Sequence, residues 1–158
     1  MEKKEEVKAW YNTQLGWIQI CSMDGVLTSM HFIKEKEVEG EGERTLLTDE
    51  AYRQLEAYFM GQRKKFTLPL KLLGTPFQQK VWKALCTIPY GETRSYKQIA
   101  ELINQPKAAR AIGSANHNNP IAVIVPCHRV IGANGSLTGY AGGLLLKTLL
   151  LKLEQENK

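Results

Sequence analysis

Cysteine is scarce in this chain of 158 residues: there are three, at positions 21, 86 and 127. An odd number cannot pair completely, and their spacing fits neither a zinc pattern nor a disulfide framework. The expectation is a reducing compartment and a cytoplasmic location. No apolar run approaches the roughly 20 residues a membrane helix needs, so no membrane partner is expected. The stretch Met1 to Glu6 is charged and is not followed by an apolar core, so no export signal is read. Metal-ligand signatures and cofactor fingerprints are missing too, and no metal or cofactor is expected. What remains is an ordinary globular composition, 43% hydrophobic and 23% charged, enough for one domain or two small ones.

Acidic residues are unevenly spread. Residues 1–74 carry 11 Lys/Arg against 12 Asp/Glu, whereas residues 75–158 carry 10 against 4, so the net +5 sits in the second half. A basic half is the electrostatic footprint of a phosphate-backbone partner, although solubility alone would also account for it.

The first half reads as mixed α and β. Trp17 to Ser22 and Val26 to Ile33 are β-rich runs around Met23-Asp24-Gly25, which predicts a hairpin. Glu35 to Arg44 reads as a solvated acidic connector. Thr48 is placed to cap a helix beginning at Asp49 and ending near Met60-Gly61, with Tyr52, Leu55 and Phe59 as its apolar stripe. Phe66 to Gly74, with Pro69, reads as a linker. The second half opens with Thr75-Pro76-Phe77-Gln78, a capping Thr with Pro at the first helical position. That helix buries Phe77, Val81, Trp82 and Leu85. Ser95 to Gln98 is a second capping box, opening a helix with Ile99, Ala100 and Ile103 inward. After the turn Asn104-Gln105-Pro106, a third helix runs from Lys107 to about His117.

Two short helices joined by a tight turn resemble a helix-turn-helix. The second is rich in small residues (Ala108, Ala109, Ala111, Gly113, Ser114, Ala115) around one long cation, Arg110. Such a face lets a duplex come close while Arg110 reaches into a groove or base stack; plain helix packing is the alternative. Ile121 to Val125 reads as a buried strand that delivers Cys127 and His128 at its end. Five glycines between Gly132 and Gly143 surround Tyr140, as suits a wall that approaches a ligand closely. Leu144 to about Gln155 is a Leu-rich helix carrying Lys147, Lys152 and Glu154.

Pro126-Cys127-His128-Arg129-Val130, taken with Gly74 to Gln78, Pro89 to Thr93, Ser95-Tyr96, Ala108 to Gly113, Asn119-Pro120 and Tyr140 to Gly143, resembles the O6-alkylguanine-DNA alkyltransferase family. The likeness is close over about residues 66–158 and general before that. It implies an α/β protein: an N-terminal ribonuclease-H-like α/β domain (residues 1–70) and a C-terminal winged-helix-like, helix-turn-helix domain (residues 71–158). It implies a monomer that binds double-stranded DNA containing alkylated bases through the minor groove. The damaged nucleotide is flipped out of the duplex, because its alkylated oxygen is unreachable inside the stack. The alkyl group of O6-alkylguanine passes to Cys127 and inactivates the protein; O4-alkylthymine is left open as a second substrate.

The same resemblance distributes roles. Arg110 is the finger that fills the vacated space, with Ala108, Ala109, Ala111 and Gly113 along the DNA face. Tyr140, the Val130 backbone and Ala141 hold the base, Ala141 through its N–H where many members carry Ser or Gly. Cys127 is the nucleophile, and His128 takes its proton through a bridging water. Glu154 orients the other imidazole nitrogen, Asn119 is a hinge, and Tyr96 bonds to guanine N3 as charge develops. Cys21 and Cys86 read as small buried hydrophobes, Glu156 as a surface charge, Arg129 as structural rather than catalytic, and His117 as at most a phosphate contact. Two other classes are weighed: a lesion-binding protein without chemistry, which Cys127 argues against, and a cysteine hydrolase, which leaves the helix pair unexplained.

Overall fold

The computed structural model describes residues 6–137 and 139–158. The charged stretch Met1–Glu5 and Thr138 of the glycine-rich loop lie outside them. The chain divides into two compact units, Met1–Leu72 and Leu73–Lys158.

The first unit is an antiparallel sheet, β1 (Val7–Thr13), β2 (Gly16–Met23) and β3 (Val26–Phe32), in that order, with helix α1 (Leu46–Phe59) packed on it. The expected hairpin is there: Met23 pairs with Val26, and Asp24 and Gly25 close the turn at φ 55° and 76°, the left-handed pair that matches strand twist. β1 escaped the sequence reading. Its outer edge is paired too, Trp10 N–H donating to Glu41 C=O at 3.1 Å and Glu43 N–H to Lys8 C=O at 2.8 Å. Gly42 sits between them at φ +72°, where a Cβ would fall 2.2 Å from the Lys8 oxygen and 2.8 Å from the Trp10 ring. The acidic segment is therefore not a purely solvated connector. Phe66 to Gly74 is not simply a linker either: Leu27 N–H donates to Pro69 C=O at 2.8 Å and Lys71 N–H to Leu27 C=O at 2.9 Å, covering the β3 edge.

The start of α1 is also corrected. Thr45 is the cap, accepting from Thr48 N–H at 3.1 Å, and Thr48 Oγ1 returns the favour to Thr45 N–H at 2.8 Å. Thr48 is fully buried under the Tyr11 hydroxyl, which donates to it at 2.9 Å, so it belongs inside the first turn. The helix ends as expected at Gly61 (φ +74°): Gly61 N–H reaches Tyr58 C=O and Gln62 N–H reaches Ala57 C=O. Ala51, Leu55, Tyr58 and Phe59 form its buried stripe, while Tyr52 is half-buried and stacks on Tyr11.

The second unit contains α2 (Pro76–Leu85), β4 (Arg94–Ser95), α3 (Tyr96–Leu102), α4 (Ala109–His117), β5 (Val130–Ile131) and α5 (Leu144–Glu156). Both expected capping boxes form, Thr75 with Gln78 and Ser95 with Gln98. Asn104, at φ 59°, turns α3 toward α4, with Gln105 N–H bonded to Ala100 C=O. β4 pairs in parallel with β5, a bridge the sequence did not announce. Cys86, the C-cap residue of α2, is exposed rather than buried; Cys21 is buried in β2.

Trp82 ties the helices together. It is 1% exposed, and its indole N–H donates at 2.8 Å to Ala115 C=O, one of the last carbonyls of α4, which lack a partner within the helix. Trp82→Phe removes that donor and leaves a small void. The expected cost is about 2–3 kcal/mol, measured by urea unfolding; a loss below about 0.5 kcal/mol contradicts this role.

Candidate active site

Ile121 to Val125 is not a strand. It is a buried double turn, and the reason lies in side-chain hydrogen bonds that periodicity does not register. Asn119 accepts from Ile121 N–H at 3.0 Å and donates through Nδ2 to Val125 C=O at 2.7 Å. Val123 adopts φ +71°, a conformation a β-branched residue rarely takes, and Ile124 N–H closes a γ-turn onto Ala122 C=O at 2.8 Å. Pro126 (φ −82°, ψ 63°) makes a second γ-turn, Cys127 N–H to Val125 C=O at 2.8 Å. Cys127 then begins a 3-10 turn, Cys127–Arg129, and Asn116 Nδ2 holds its carbonyl at 3.2 Å.

Three consecutive side chains leave that turn in different directions. The Cys127 thiol, 4% exposed, meets the Asn119 side chain and the Tyr140 hydroxyl. His128 is fully buried and its Nε2 lies 2.7 Å from Glu154 Oε2. Arg129 grips the same carboxylate along its edge, Nε to Oε1 at 2.8 Å and Nη2 to Oε2 at 2.9 Å, and its Nη1 donates to Ile88 C=O at 2.7 Å. Gly91, whose φ of +80° suits glycine, donates its N–H to Glu154 Oε1 at 3.0 Å. Lys147, also fully buried, donates to Val130 C=O at 2.6 Å.

Burial dominates the electrostatics. It pushes the Cys127 thiol above its usual range, against the lowering pull of Asn119 and Lys147. Burial likewise pushes Tyr140 well up, a shift reinforced by Cys127, and pushes Lys147 down. It pushes His128 down, with Glu154 pulling the other way and Arg129 and Lys147 adding to the fall. The resting site thus favours a neutral thiol beside a neutral imidazole.

A surface groove of about 470 Å³ is lined by Tyr96, Ala109, Arg110, Gly113, His117 and Gly139. It brings Tyr96 together with three of the five residues expected on the DNA face. Ala108 lines a neighbouring groove with Gln105, Pro106 and Lys107, and Ala111 and Ala141 are exposed. Glu154, which by itself would read as a surface charge, is 1% exposed.

Arg129, Lys147 and Asn116 were missed as site residues. One signal was available: Lys147, Leu150 and Glu154 fall at i, i+3 and i+7, so two charges occupy the stripe that faces the core. Among the described residues no group of three or more His, Cys, Asp or Glu side chains is placed to hold a metal ion, and no helix is long and apolar enough to cross a membrane.

Comparison with known proteins gives a family for each of the two units. Residues 7–72 match the model of the 6-O-methylguanine DNA methyltransferase ribonuclease-like domain, and residues 76–156 that of its DNA-binding domain. A methylated-DNA–protein-cysteine methyltransferase of Mycobacterium tuberculosis is 50% identical over 150 residues, 91% of this chain and 89% of that one. Its namesake from Methanosarcina mazei is 64% identical over 108 residues, 68% of each. The crystal structure of Mycobacterium tuberculosis OGT in complex with DNA superposes with a TM-score of 0.87 at 47% identity, covering 95% of this chain and 93% of that one.

Two outcomes follow from the buried charges. Glu154→Gln leaves Arg129 as an uncompensated buried cation, so guanidinium unfolding at neutral pH should show a loss of about 3 kcal/mol or more; a loss under about 1 kcal/mol contradicts the pairing. His128 and His31 are both held below the ordinary 6.5 by burial, so the unfolded chain protonates first. Their contribution is complete above about pH 6.5 and is lost as pH falls through the lowered folded values. Thermal midpoints should therefore drop as pH falls below about 6.5, and less steeply in His128→Gln; an equal slope in that variant contradicts the assignment.

Proposed function

The chain belongs to the 6-O-methylguanine DNA methyltransferase family, and we propose that it repairs DNA by moving the alkyl group of O6-alkylguanine onto its own Cys127, once per molecule. The observation that supports this reading most is the pairing of a thiol on a tight turn with an adjacent His128–Glu154 hydrogen bond of 2.7 Å.

The partner is double-stranded DNA, approached through its minor groove by a monomer with the exposed small-residue face of α4. Residues 73–158 are the unit that binds DNA and carries the chemistry. The damaged nucleotide leaves the stack, Arg110 fills the gap, and the base enters beside Tyr140, the Val130 backbone and the Ala141 N–H. Cys127 gives its proton through a bridging water to His128, whose other nitrogen faces Glu154. The thiolate attacks the alkyl carbon as the carbon–O6 bond breaks, and the bonding pair goes to O6. Tyr96 stabilises the charge that develops on the guanine, which then takes up a proton. Asn119 holds the turn that aims the sulfur. The product is a thioether, which neither water nor thiol exchange reverses at neutral pH, so the chain is spent.

The test is mass spectrometry of the whole chain after incubation with a duplex containing one O6-methylguanine. A gain of one methyl mapped to Cys127 is expected; intact protein bound to unrepaired DNA would indicate lesion binding without transfer. The finger role has its own check. Arg110→Ala should slow repair of duplex DNA on the order of tenfold, because flipping costs a few kcal/mol, while reaction with the free alkylated base is nearly unchanged. Equal losses on both substrates would remove Arg110 from that role.

A further inference from the structure

Glu154 has more donors than a relay carboxylate needs. Oε1 accepts from Arg129 Nε at 2.8 Å and from Gly91 N–H at 3.0 Å; Oε2 is shared by Arg129 Nη2 at 2.9 Å and His128 Nε2 at 2.7 Å. A carboxylate that binds a guanidinium along its edge is an ion paired with an ion. It stays a pure acceptor, so the hydrogen between it and His128 belongs to Nε2. An isolated aspartate or glutamate against a buried imidazole would instead favour the imidazolium, since one buried anion calls for one cation. Here Arg129 already supplies that cation.

The groups around the imidazole agree. Glu154 and Lys147 reach it from α5, and Arg129 and Cys127 lie beside it in its own turn. Tyr90, under the Arg129 guanidinium at 5.7 Å, and Cys86, at the end of α2, face Arg129. A protonated His128 would join Arg129 and Lys147 around a single anion, inside a site where His128 and Glu154 are 0% and 1% exposed.

We propose that Arg129 is a positioning residue for the base: it holds Glu154 as an already paired anion, so that His128 carries its proton on Nε2 and keeps Nδ1 as the accepting nitrogen. This rests on the reading of His128 as the acceptor of the thiol proton. Arg129 touches neither sulfur nor base; it acts through Glu154. Without it the same carboxylate would draw a proton onto the imidazole, and an imidazolium accepts nothing.

The experiment is nitrogen-15 NMR of the imidazoles in the full-length protein, followed against pH without DNA. In the wild type, His128 should be neutral at pH 7 with its proton on Nε2. In Arg129→Gln, His128 should take up its proton at a pH at least one unit higher than in the wild type, and one pH unit below that new midpoint the repair rate should be about tenfold below its high-pH plateau. Arg129→Lys, which keeps the charge, should retain most of the wild-type titration. The double variant R129Q/E154Q, which leaves neither ion unpaired, should return a neutral imidazole. The proposal is overturned by a wild-type His128 that is protonated at pH 7 or carries its proton on Nδ1. It is also overturned by a folded R129Q whose His128 titrates as in the wild type. The wild-type tautomer decides the matter even if R129Q does not fold. Because the titration is read without DNA, it stands apart from whether Cys127 is alkylated.

Discussion

A single buried carboxylate organises the second unit. Glu154 lies near the end of α5, yet its oxygens collect a guanidinium, an imidazole and a backbone N–H from two other segments of the chain. Arg129 carries the linkage on to Ile88, and Gln155, next along the helix, donates to Gly91 C=O at 2.8 Å. The helix, the loop after α2 and the turn that bears Cys127 are thereby fixed to one another. An ion this deep is tolerated only when every oxygen is occupied, which makes the network close to all-or-none. The placement of Cys127 inherits that rigidity.

Rigidity here comes with a chemical restraint. A thiolate is the reactive species, yet burial favours the neutral thiol in the resting protein. The resting thiol is therefore held in its less nucleophilic form. In the proposed reaction a bound base completes the site and the thiol proton moves to His128, whose Nε2 already faces Glu154. For a chain that acts once, a nucleophile held in reserve until the substrate is seated avoids waste on other alkylating agents.

Much of this was legible in the residues, and the failures are instructive. The capping boxes at Thr75 and Ser95 and the Asp24-Gly25 turn are local chemistry, written in three or four adjacent letters, and they formed as expected. The run Ile121 to Val125 misled because five apolar residues describe burial, not conformation; Asn119 bends the backbone through hydrogen bonds, and Val123 yields to them at φ +71°. The acidic segment and the stretch around Pro69 became sheet-edge partners through backbone bonds that leave no mark on composition. Glu154 was found by resemblance, whereas its counter-ion Arg129, adjacent to the motif histidine, was passed over. Pairing across 25 positions of sequence is a property of the fold and has no local signature.

Counting distinguishes Cys127 as an acceptor from Cys127 as a turnover catalyst. Protein is titrated with an excess of duplex carrying labelled O6-methylguanine, and the methyl groups transferred per active chain are measured over time. The expected result is a plateau at about one, with no transfer by Cys127→Ala. Methyl release that continues beyond one per chain, or transfer that survives the loss of Cys127, would contradict it.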